Sequence, residues 1–172
     1  MLSRKNTIIA AAMFLIVGAG SCTKDGTNAT TELRIHLTDN PTNVTAVNVD
    51  IQQVTVNFTD DSTGWVNINT RAGIYNLLDF QNGIDTVLAT GIVPTGRLKE
   101  VRFILGGNNS IEVDNSTYKL SIPSGSESGL KIKLDKQLNA SLDSLVVDFD
   151  AASSILQTGA GDYKLKPVLK LK

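Results

Sequence analysis

From Glu32 onward the chain repeats with a period of two. In Glu32–Leu37, ELRIHL, the residues Leu33, Ile35 and Leu37 fall on one face and Arg34 and His36 on the other, which is the spacing of a half-buried β-strand. The pattern returns in AVNVDIQQVTVNF, RLKEVRFIL, LKIKL, DSLVVDFD and YKLKPVLKLK, and turn-forming Gly, Pro, Asn, Asp and Ser bound each stretch. About nine or ten short strands at this spacing predict an all-β fold, a single β-sandwich with one or two short helical turns. No internal repeat of solenoid length and no second linker divides residues 32–172, so they read as one domain.

Irregularities in the pattern predict local features. Val47, Val49 and Ile51 are out of phase with Val54, Val56 and Phe58, so one extra residue at Gln52-Gln53 predicts a β-bulge. WVNI reads as a short strand, and IEVDNSTYKLSI as two strands around Asn115-Ser116. GIDTVLATG, residues 83–91, reads as a short helical turn closed by Gly91 or an irregular connection, and VPTG as a turn. AASSILQTG is the best short helix, with Asp150 as N-cap and Gly159 as its stop. Pro167 cannot donate to a ladder, so the final strand is predicted to be an edge or to bulge there.

The N-terminal residues break from this pattern. Arg4 and Lys5 precede an unbroken apolar run, Ile8 to Val17, and then the small residues GAGS. That order is a secretory signal over residues 1–21, and its apolar run is shorter than the ~20 residues a membrane span needs. Cys22, the only cysteine, follows directly, and AGSC resembles the lipobox of bacterial lipoproteins, with Ala19 where leucine is commoner. Cys22 is therefore the expected lipidation site, and several acyl chains make a stable anchor. Residues 22–31 are small and polar and read as a flexible tether. CTKD also looks like the charged export signal of some Bacteroidota-type surface lipoproteins. The expected location is the outer membrane or cell surface, with the membrane as a partner through the lipid.

Charge excludes another class of partner. With 16 basic and 17 acidic residues the net charge is −1, and removing Arg4 and Lys5 leaves 14 basic, hence −3. No nucleic-acid binding is expected from such a balance. Lysines 164, 166, 170 and 172 alternate without interleaved aromatics, and read as guards against edge-to-edge pairing.

Catalytic templates fail in turn. IPSGSESGLKIKL, residues 122–134, has a glycine-rich loop before a lysine, but its spacing and the following strand do not match GxxxxGK[ST], and GSESG places Glu127 where a nucleophile elbow needs serine. His36 is the only histidine and reads as an exposed strand residue. A zinc shell from one His and one lipid-bound Cys is excluded, and no cofactor is expected. The metal or acid–base candidates are Asp148 and Asp150, two residues apart on one strand face, with Asp39 as a third carboxylate. The structural alternative pairs Asp148 and Asp150 with Lys131 and Lys133 of a nearby strand. Three triplets, DST, DTV and DSL, are similar to the acceptor for O-glycosylation in Bacteroidota and mark Ser62, Thr86 and Ser144.

Taken together, LTDNP, AVNVDIQQVTV, YNLLDF, LATGIVPTGRLKEVRFIL, IPSGSESGLKIKL, VDFDAASSI and YKLKPVL occur in an order that resembles domain of unknown function 4382. The resemblance covers nearly all of residues 32–170. It implies a secreted or lipid-anchored protein with a sandwich of immunoglobulin or prealbumin type, and it brings no catalytic residue. The aromatic usual after PTG is replaced here by Arg97-Leu98. The expectation is a non-enzymatic envelope lipoprotein that contacts a glycan or an envelope protein. The alternative is a calcium- or carboxylate-dependent hydrolase of glycans.

Overall fold

In a computed structural model the fold is described for residues 29–40, 44–123, 129–159 and 161–172. The signal segment, Cys22, most of the tether, and Ser124–Ser128 of the glycine-serine loop lie outside the described residues. In chain order the first elements are β1 (Thr30–Thr38), β2 (Ala46–Asn57), β3 (Trp65–Asn67), β4 (Asn69–Thr70), β5 (Gly73–Asn76) and a 3-10 helix (Leu77–Phe80). They are followed by β6 (Thr86–Pro94), β7 (Arg97–Leu105), β8 (Ser110–Val113), β9 (Ser116–Ser121), β10 (Leu130–Gln137) and β11 (Ser141–Phe149). The chain then forms α1 (Ala151–Ser154), β12 (Ile155–Gln157), β13 (Tyr163–Leu165) and β14 (Leu169–Leu171).

Two sheets make an all-β sandwich. One has the order β14-β11-β1-β6-β4. β1 lies at its centre, parallel to β11 and antiparallel to β6. The other is organised by β2. β7 and β8 follow one another along one side of β2, and β5 and β3 take the opposite side. This sheet extends through β10 at one end and through β9, β13 and β12 at the other. The alternation sets the inner faces: Leu33, Ile35, Leu37, Val101, Phe103, Val147 and Phe149 are fully buried in the common core. The chain changes sheets between β3 and β4 at the buried Ile68.

The predicted bulge is present, since Ile51 pairs with Leu105 but Gln53 with Ile104. The extra residue puts both Ile51 and Val54 in the core. Other expectations need correction. GIDTVLATG is no helical turn. Its second half is strand, where Gly91 lies against Ile68 so closely that a Cβ would come 2.7 Å from Cγ2. The VPTG turn is confined to Thr95-Gly96, because Val93 and Pro94 complete β6. The β8–β9 hairpin turns at Asp114-Asn115, with φ of 49° and 60°, the left-handed pair of a type I′ turn. The helix ends at Ser154 rather than near Gly159, and Ile155–Gln157 join β13 instead. The Ser154 hydroxyl bonds back to the Asp150 carbonyl, a local bond that competes with helix propagation. Around Pro167 the chain leaves one sheet for the other, so no strand runs through it.

Candidate functional site

Asp148 and Asp150 sit where β11 ends, on the face of the sheet opposite Val147 and Phe149, and Asp39 follows β1 beside them. All three are buried, at 2%, 6% and 1% exposure. The sequence expectation that Lys131 and Lys133 pair with them is overturned: β10 pairs with β7 and belongs to the other sheet. The partners are lysines of β14 and the residue after it. Lys170 Nζ is 2.7 Å from Asp150 Oδ2, and Lys172 Nζ is 3.2 Å from Asp148 Oδ2. Opposite charges across a ladder are the right device; only the strand differs.

Backbone and amide donors complete the cluster. Asp150 caps α1, as its sequence position predicts, by accepting from Ser153 N at 2.8 Å. Asp39 Oδ1 accepts from Ala151 N at 2.9 Å and its Oδ2 from Gln81 Nε2 at 2.9 Å. Asn40 Nδ2 donates to Asp148 Oδ2 at 2.7 Å, while Asn40 Oδ1 accepts from Lys172 Nζ. Asp148 Oδ1 is buried without a hydrogen-bond partner among the described residues.

The electrostatics differ from one carboxylate to the next. Burial pushes the Asp39 pKa above its ordinary 3.8, against the Gln81 and Ala151 hydrogen bonds and with added repulsion from Asp148. Lys170 holds the Asp150 carboxyl below its ordinary value despite burial, and Asp150 raises Lys170 in return. A divalent cation here would have to displace both ammonium groups, which is a poor setting for a hard cation that needs several oxygen ligands. Among the described residues no group of three or more His, Cys, Asp or Glu is placed to hold a metal ion. The cluster fastens the ends of β1, β11, α1 and β14 to one another.

The other sequence candidates are scattered. His36 is half-buried on β1 rather than exposed, and its Nδ1 lies 2.6 Å from Asp85 Oδ1. Ser62 is exposed in the 60–64 turn, beside Asp61, which accepts from Thr63 and Thr59. Ser144 is exposed on β11, and Thr86 is half-buried at the start of β6. Lys164 guards no edge, because β13 lies between β9 and β12. Lys170 and Lys172 do lie at an edge, but their ammonium groups turn to the buried carboxylates.

A groove of about 590 Å³ is walled by the 165–169 segment, which Asp150 contacts through Val168. Ile122, Leu130, Leu165 and Pro167 line it, with Lys131 and Lys166 among its walls. One wall is stapled by the buried Ser154: its carbonyl accepts from Lys166 N at 2.7 Å and its hydroxyl from Val168 N at 2.8 Å. Asp150 N donates to Val168 O at 3.0 Å. Strand periodicity carries no trace of this groove, because it arises where the chain changes sheets. A second polar centre is equally hidden. Buried Asp50 accepts from Asn108 N and Gln52 Nε2, and its own N–H donates to Asn109 Oδ1, which fixes the 106–109 loop.

A family model described as Domain of unknown function (DUF4382) matches residues 30–167. The chain belongs to that family. The matched span runs from the first residue of β1 to Pro167, so the DUF4382 unit holds every strand but β14, with the carboxylates and most of the groove wall, and stops just short of the β14 lysines. A search of curated proteins and of solved structures finds no match.

Proposed function

We propose that the protein is a lipid-anchored component of the outer membrane or cell surface whose sandwich is a non-catalytic binding module. The observation that carries this reading is the state of Asp39, Asp148 and Asp150. Each carboxylate is engaged by a lysine, an amide or a backbone N–H of the same domain, so the nearest approach to an acid–base pair serves the fold. The anchor rests on the signal-like segment ending at Cys22, and among the described residues no helix is long and apolar enough to cross a membrane. A glycan or an envelope protein is the partner class. O-glycosylation at Ser62, Thr86 or Ser144 belongs to the same surface reading, and exposed Ser62 fits it best.

Two variants of the full chain test it. Cys22→Ala moves the protein from the membrane to the soluble fraction; retention in the membrane overturns the anchor. Asp148→Asn/Asp150→Asn lowers the melting temperature. If the double variant instead keeps its melting temperature and abolishes hydrolysis of envelope glycans by the wild type, the protein is a hydrolase.

A further inference from the structure

The two walls of the groove offer a ligand different things. β10 is the end strand of its sheet and pairs only with β7 among the described strands. The groove is lined by Gly129–Lys131 of this strand and its approach and by no residue of β7, so it borders the start of β10 away from its β7 partner. Among the described residues that side makes no ladder hydrogen bond, which leaves strand N–H and C=O groups for a partner. In the facing wall, residues 165–169, the amides of Lys166 and Val168 are already bound to Ser154, and Pro167 has none. A ligand that fills this space and satisfies an open strand edge is an extended peptide. Its inward side chains meet the half-buried Ile122, Leu130 and Pro167. Its outward side chains meet Lys131 and Lys166, with Lys133 and Lys164 beyond them. All four are exposed, and none forms an ion pair with a carboxylate among the described residues. The groove also lies at the end of the sandwich away from Ala29. β1 leads from Thr30, opposite Pro94, to Thr38, opposite Asp148, a rise of about 30 Å. The stretch TKDGTNA that precedes β1 has no large apolar side chain for the groove floor.

We propose that the groove captures an extended peptide segment of alternating acidic and apolar residues from an envelope protein, added as a new strand on β10. The inference rests on the binding-module reading and gives it a site and a ligand chemistry.

The test uses the full chain in detergent and a fluorescein-labelled peptide of alternating Glu and Val, about ten residues long. Binding is followed by anisotropy and by Trp65 fluorescence, since Lys131 Nζ lies 5.5 Å from the Trp65 ring centroid. The Glu–Val peptide binds. Lys131→Glu/Lys166→Glu weakens it at least about tenfold with an unchanged melting curve. N-methylation of alternate amides abolishes binding, and a Lys–Val peptide does not bind. Absence of Glu–Val binding, equal binding of the Lys–Val peptide, indifference to N-methylation, or capture of polygalacturonate in place of the peptide overturns the proposal. Loss of the anchor is read separately, by fractionation of Cys22→Ala, so the two readings fail independently.

Discussion

Lys170 stands opposite Asp148 in the β11–β14 ladder, yet its ammonium lies 2.7 Å from Asp150 Oδ2. Lys172, whose N–H bonds to Val146 O, is displaced in the same sense and reaches Asp148. Each lysine thus serves a carboxylate two residues beyond its ladder partner. The pairing is diagonal, and it leaves the lysines half-exposed above carboxylates that are almost fully buried.

The diagonal pair has a pH signature. Asp150 has its pKa depressed, chiefly by Lys170. It therefore contributes stability that is present above the unfolded value near 3.8 and is lost as pH falls through the folded value. Lys170→Met removes that depression, and the acid-unfolding midpoint moves to higher pH. Asp150→Ala also removes the α1 cap and costs about 1 kcal/mol or more at neutral pH. Asp150→Asn retains an oxygen for the Ser153 amide and falls between. Circular dichroism across a pH series checks the order.

Asp39 has the opposite sign. Its pKa is raised by burial, so the folded state holds the proton more tightly than the unfolded chain. Stability from this group increases as pH falls through the folded value toward 3.8 and is lost as pH rises through the same window. Asp39→Asn keeps an oxygen for the Ala151 amide and removes the titration. The melting temperature of the wild type, measured against the variant, rises on acidification within that window. A difference independent of pH contradicts this account.

Gly106 is required by Asp50. A Cβ at position 106 would lie 2.2 Å from Asp50 Oδ2, and Asp50 is held in place by Asn108 N and the Gln52 amide. Gly106→Ala is expected to cost about 1–3 kcal/mol by overpacking. The cost shrinks in an Asp50→Ala background, where the obstructing carboxylate is gone. A double-mutant cycle by urea denaturation measures the coupling.

Divalent cations leave the fold unchanged. A cation bound to the native state alone would raise the melting temperature with concentration. With lysines on Asp148 and Asp150, millimolar calcium or EDTA is expected to shift the melting temperature by less than about 1 °C. A calcium-dependent rise, abolished by Asp148→Asn, contradicts this.

The sandwich was readable because its strands alternate cleanly, and even the Gln52-Gln53 bulge left a phase slip that periodicity detects. The stretch 83–91 hid a strand. Its apolar face is cut by Gly91, which is there because Ile68 approaches too closely for a side chain, and its pairing with β1 skips a residue between Ile35 and His36. The carboxylates were visible as Asp39, Asp148 and Asp150, but their counterions were not. Alternation shows that Lys131 and Lys170 each point outward, and it is silent on which strand lies beside β11. The groove depends on a change of sheet around Pro167, which in the sequence reads only as a broken strand.

The central place of β1 has a consequence for biogenesis. The strand leaves the ribosome first, yet Thr31–Thr38 find their parallel partners in Ser141–Asp148, 110 positions later (141 − 31). Until those residues arrive, one side of β1 has no mate, and its sheet cannot be assembled piecemeal from the N-terminus. Such long-range pairing makes for slow folding. Closing that sheet therefore has to wait for β11, however early the hairpins of the other sheet have formed.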